Sequence, residues 1–170
     1  MRLKLTLLAT VMLALSGFAS KQLKFYYFKK AGKHINTLTR SISSDQPNIT
    51  FGFQSYNTHK IVQTTAYYNQ PSDLMHYVLS TENGRTLYFQ IPLADVEIIQ
   101  LDTSNTNNYL YFQCGGETGI RVKEHRKDGI ISFDLRFTSY RIPLPAEYDE
   151  KAIRKACKNL VKLAAKYRKD

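Results

Sequence analysis

The chain has 170 residues, a net charge of +10, 43% hydrophobic and 12% aromatic residues, and no tryptophan. That is enough chain for one domain with one core, and no Gly/Ser-rich or Pro-rich linker divides it. With neither a fixed-period repeat nor a low-complexity tract, solenoid and fibrous architectures are excluded.

The first 19 residues have the order of a secretory signal. Arg2 and Lys4 precede an uncharged apolar run from Leu5 to Leu15, and Gly17 and Ala19 supply small side chains before a cut at Ser20. The run is about eleven residues, short of the roughly twenty that a helix needs to cross a bilayer, so the mature chain is expected to hold no transmembrane segment. No cysteine lies near the cut to carry a lipid. Residues 20–170 are therefore expected to form a single β-rich domain, secreted or periplasmic.

Next, Lys21-Gln22-Leu23-Lys24-Phe25-Tyr26-Tyr27-Phe28-Lys29-Lys30 interleaves bases with aromatics. As a strand, Leu23, Phe25 and Tyr27 face one way and Lys24, Tyr26 and Phe28 the other, with lysines at the ends, which suits a strand joining a sheet. The remainder of the stretch before Asn48 carries no assignment. From there on, runs rich in Tyr, Phe, Ile and Val alternate with turn chemistry, and the spacing predicts strands at Ile49–Phe53, Ile61–Tyr67, Met75–Leu79, Arg85–Ile91, Val96–Leu101, Tyr109–Cys114, Gly119–His125 and Ile130–Phe137. Asn83-Gly84 and Asp128-Gly129 are expected to form type I′ hairpin turns. Leu87, Phe89 and Ile91, and then Ile131, Phe133, Leu135 and Phe137, alternate with more polar residues, so one face of the sheet is expected to be buried and the other wet.

After Pro143 and Pro145 the apolar period lengthens. Ile153, Ala156, Cys157, Leu160, Leu163, Ala164 and Tyr167 recur at steps of three and four, predicting an amphipathic helix over about 149–168 with Asp149 as N-cap. Basic Lys166, Arg168 and Lys169 suit its C-terminal end. The fold class expected is α+β, mainly β: an antiparallel meander or bent barrel with one C-terminal amphipathic helix. This order of elements, seen in Leu87 through Val122 followed by Ala152 to Leu163, resembles the PH-domain-like architecture, a bent antiparallel barrel plugged by a C-terminal helix. The resemblance implies a binding scaffold that engages lipids or peptides. A plain antiparallel sheet with a helix on one face, cystatin-like or nuclear-transport-factor-like, is the alternative.

Charge is unevenly distributed. Ser20 to Ser44 carries +6, Asp45 to Pro145 carries −2, and Ala146 to Asp170 carries +4. Two basic ends favour an anionic partner at close range, a lipid headgroup layer or an acidic glycan, with Lys24, Lys29, Lys30 and Lys33 as contacts beside Lys151, Lys155, Lys158 and Lys162. The same lysines also serve solubility. A surface binder requires the two ends to form one patch. Export argues against a nucleic-acid partner.

Cys114 and Cys157 could pair in an oxidising compartment, closing a loop of about forty residues for about 4 kcal/mol. Pairing or core packing is favoured over nucleophilic use of Cys114 with His125. His34, His59, His76 and His125 lack ligand spacing, and Glu117, Glu124, Asp128 and Asp134 are not singled out as an acid–base pair. No phosphate loop, nucleophile elbow or dinucleotide fingerprint is present, so no cofactor is expected. The sequence points to an exported, non-catalytic binding or interaction module. An exported hydrolase and a charge-driven binder of anionic surfaces are the alternatives.

Overall fold

The computed structural model describes residues 30–47, 49–53, 57–103, 108–115 and 119–168. The leader, residues Lys21 to Lys29 of the expected strand, and Glu117 lie outside the described residues, Lys24 and Lys29 among them, while the last residue of that expected strand, Lys30, is helical. Nine antiparallel strands and two helices follow in chain order among them: α1 (30–42), β1 (Ile49–Phe53), β2 (Asn57–Asn69), β3 (Leu74–Thr81), β4 (Thr86–Pro92), β5 (Val96–Asp102), β6 (Tyr109–Cys114), β7 (Ile120–His125), β8 (Ile131–Phe137), β9 (Ser139–Pro143) and α2 (Glu150–Tyr167). The fold is α+β and mainly β.

The strands form a six-stranded sheet in the order β1-β2-β3-β4-β7-β8 and a three-stranded sheet in the order β5-β6-β9. β1 to β4 are a meander, as expected from the alternation. β5 and β6 leave for the second sheet, and β7 returns to pair with β4. Of the two forms expected, the bent barrel gives way: the sheets are not closed into one. They pack through buried aromatics, with the Tyr77 hydroxyl donating to the Pro143 carbonyl at 2.9 Å and the Phe89 and Tyr140 rings 5.1 Å apart. Strict alternation in β3, β4 and β7 places Met75, Tyr77, Leu79, Leu87, Phe89, Ile91, Ile120 and Val122 in the core.

Both hairpin turns stand where they were expected, but with a different geometry. Thr81 N–H bonds the Arg85 carbonyl at 2.9 Å, Gly84 N–H bonds the Thr81 carbonyl at 3.0 Å, and the glycine alone takes positive φ, +79°. Arg126 to Ile130 repeats the pattern with Gly129 at +81°. These are three-residue loops in which one left-handed glycine closes a bulge, so Asn83 and Asp128 are spared the positive φ that type I′ requires.

There are two helices where one was expected. In α1, Ile35, Leu38 and Ile42 are buried at helical spacing. Its interior is rich in Thr and Ser, poor helix formers, whose hydroxyls fold back on preceding carbonyls: Thr37 to Lys33 at 2.9 Å, Thr39 to Asn36 at 3.2 Å and Ser41 to Thr37 at 2.9 Å, with Ser43 just past the end bonding Thr39 at 2.7 Å. Tertiary contacts hold it. Thr64 of β2 donates to the Ile42 carbonyl at 2.9 Å, and Ser43 Oγ accepts from Ala66 N–H at 2.9 Å. α2 lies against β5, capped by Asp149, which accepts from Ala152 N–H at 2.9 Å. Its end is tied down by Arg168, which donates to the Ala94 and Val96 carbonyls.

Candidate functional site

The two helices run antiparallel beside each other. Ala31 and Ile35 of α1 meet Leu160, Leu163, Ala164 and Tyr167 of α2 around an apolar cavity of about 40 Å³. Two turns along, Thr37, Arg40 and Ser41 of α1 share a shallow cleft with Asp149 and Ala152 at the start of α2. The cavity has room for little more than water. What the pairing builds is an outer face.

At about 100° per residue, Lys151, Lys155, Lys158, Lys162 and Lys166 fall within an arc of about 80° on α2, opposite the buried Ile153, Ala156, Cys157, Leu160 and Ala164. All five are exposed. Lys33 and Arg40, seven residues apart and so two turns apart, lie opposite Ile35, Leu38 and Ile42 and are exposed likewise. α1 contains three bases and no acid, and α2 six bases and one acid, so the pair carries +8. The single acid, Glu150, is held by Arg154 at 2.7 Å. Among the described residues, Lys33, Arg40 and the five lysines of the α2 stripe form no ion pair.

The half-buried His34 reports the shared field. Its pKa is pushed below the ordinary histidine value by burial first, then by Lys33 on its own helix and Lys155 on the other. Among the described residues, Lys33 of α1 and Lys155 of α2 thus both stand near His34. Arg40 and Lys166 belong to the same face and were missed. The signal for them was spacing, two turns after Lys33 and one turn after Lys162.

The groups weighed for catalysis are dispersed and committed elsewhere. Glu124, buried at one end of the sheet, is paired with Arg85 at 2.9 Å. Asp134 receives two bonds from Arg121, at 2.7 and 2.6 Å, and Asp128 accepts from Ile130 N–H inside its turn. His125 packs its ring on Tyr88 with centroids 4.8 Å apart, whereas Cys114 is buried in the second sheet. His59 faces Asn83 at 3.3 Å and His76 stacks on Tyr67 at 4.6 Å. Among the described residues, no group of three His, Cys, Asp or Glu could hold a metal, and no helix is long and apolar enough to cross a membrane.

Cys114 and Cys157 are two separate buried thiols, not a bridge. Cys114 sits in β6, opposite Val96 of β5, and Cys157 on the buried stripe of α2. Burial, then Asp95 and Glu97, push the Cys114 thiol up to about 11, and burial pushes Cys157 up to about 12, so both stay protonated at neutral pH. Comparison with protein-family models, with curated proteins and with solved structures finds no match to this chain.

Proposed function

We propose that the protein is an exported, non-catalytic binding module that docks on an anionic membrane surface through the paired basic faces of α1 and α2. The observation that carries this reading is the gathering of basic residues from both ends of the sequence onto adjacent helices, with seven exposed cations that form no ion pair among the described residues and one acid, Asp149, sharing a cleft with Lys33 and Arg40. The lysines stand on helices packed against the core, so the backbone positions that carry them are set before any partner arrives. Each lysine near an anionic headgroup layer contributes about 1 kcal/mol, and the contributions fall away within a Debye length. The element order, a β scaffold ending in a helix, is the part of the PH-domain-like resemblance that remains and the part behind its lipid-binding implication, and the leader-like first 19 residues support export.

The test is sedimentation of the mature protein with phosphatidylglycerol-containing vesicles as salt rises from about 0.1 to about 1 M, where the screening length shrinks from about 10 to about 3 Å. Binding should fall steeply across that range and be absent with phosphatidylcholine alone. Binding unchanged by salt would sink the reading. Salt-sensitive binding to heparin without binding to vesicles would move it to an acidic glycan.

A further inference from the structure

The cleft between α1 and the start of α2 is lined by charges of both signs that do not meet. Lys33 and Arg40 of α1 share it with Asp149, yet among the described residues neither base forms an ion pair with that carboxylate or with any other acid. Asp149 commits one oxygen to Ala152 N–H, at 2.9 Å, and the exposed Asn36 lines the same cleft. Its open volume, about 750 Å³, has room for a small polar group.

Gly32 opens the rim. It lies inside α1, where glycine is the poorest helix former after proline. A β-carbon there would meet no other protein atom within 4 Å, and its backbone is not left-handed, so neither packing nor conformation inside the protein requires a glycine. What the missing side chain leaves is space for a bound group.

The charges say which group fits. Lys33 and Arg40 stand two turns apart, about 10 Å along the helix axis, and their side chains are long enough to close on one phosphate between them. The carboxylate opposite needs a hydrogen-bond donor. An amine would be repelled by the +8 of the helix pair, whereas a hydroxyl donates without added charge.

We propose that this cleft is a headgroup site that selects a hydroxyl-bearing phosphodiester, the phosphoglycerol of a membrane lipid, over anionic headgroups of equal charge that lack the hydroxyls. The proposal rests on the reading that the basic face docks on an anionic membrane. It adds a preference that charge alone does not give: the lysine stripe of α2 responds to surface charge, and the cleft distinguishes the headgroups that carry it.

The test compares binding of the mature protein to vesicles holding equal fractions of phosphatidylglycerol or phosphatidylmethanol, two phosphodiesters of the same charge, only the first of which has hydroxyls. Phosphatidylglycerol should be bound at least about tenfold tighter, the scale of one charge-assisted hydrogen bond. Asp149→Asn keeps a capping side chain and removes a negative charge, so charge alone predicts tighter binding to both vesicles, whereas the site predicts that the preference is lost. Gly32→Met changes no charge and favours the helix; it should abolish the preference and leave salt-sensitive binding to both vesicles, with far-UV circular dichroism checking the fold of each variant. Equal binding of the wild type to the two lipids overturns the headgroup site and leaves the charge-driven reading standing. Binding to neither sinks both. A preference that survives both substitutions places the selectivity elsewhere and overturns the proposal as well.

Discussion

β4 and β8 belong to one sheet and carry the same alternation, with their apolar side chains on the same face, yet they meet opposite fates. Through the shared neighbour β7, Phe89 and Leu135 both flank Val122, and Leu87 and Phe133 both flank Glu124. Leu87, Phe89 and Ile91 are 0% exposed, whereas Ile131 is 49% and Leu135 is 39% exposed. The difference is coverage. β4 lies beneath the second sheet, where Phe89 packs between Tyr77 and Tyr140, while β8 ends the sheet, with Phe133 and Phe137 partly buried against the core and Leu135 between them more exposed. Period-two alternation selects a face; it does not say what lies on top of it.

The sharpest way to test that contrast is to truncate one side chain from each strand. Phe89→Ala removes a fully buried ring and should cost about 3–5 kcal/mol, read as a lowered urea midpoint. Asp149→Ala removes the cap that ties the first turn of α2 and should cost about 1 kcal/mol, read as a lower melting temperature. A smaller effect belongs to the wet face. Burial holds the pKa of His76 below the ordinary histidine value, so the unfolded chain binds its proton first as pH falls. Stability should therefore be full above about pH 6.5 and decline below it until the folded histidine also protonates. Replacing His76 with Asn should flatten that part of the slope in pH-dependent melts. Leu135→Ser should change stability least, within about 0.5 kcal/mol. A loss as large as that of Phe89→Ala would mean that β8 is covered after all.

Much of the fold is legible in the residues. Eight of the nine strands lie where alternation and turn residues put them, and α2 starts at its expected cap. α1 was hidden because Thr37, Thr39, Ser41 and Ser43 weaken any helical reading, and because the four apolar residues Ala31, Ile35, Leu38 and Ile42 owe their helix to packing more than to propensity. β9 was hidden because Thr138 alone separates it from β8: the chain switches sheets there, with its carbonyl bonded by Cys114 N–H at 2.9 Å and no turn residue to mark the corner. The basic patch was half legible. The lysine stripe on α2 can be counted from spacing, but its union with α1 depends on an antiparallel helix pairing that no local pattern encodes. The cysteines are the opposite case, since composition allows a bridge and the structure holds two separate buried thiols.

The central claim is that position, not net charge, makes the binding surface. Two variants with the same change in net charge decide it: Lys155→Glu with Lys158→Glu on the α2 stripe, against Lys60→Glu with Lys127→Glu, two exposed lysines in β2 and the β7–β8 turn. Measured by co-sedimentation with phosphatidylglycerol-containing vesicles at about 0.1 M salt, the helical pair should weaken binding by more than about tenfold and the sheet pair by much less. Equal losses in the two variants would contradict the account.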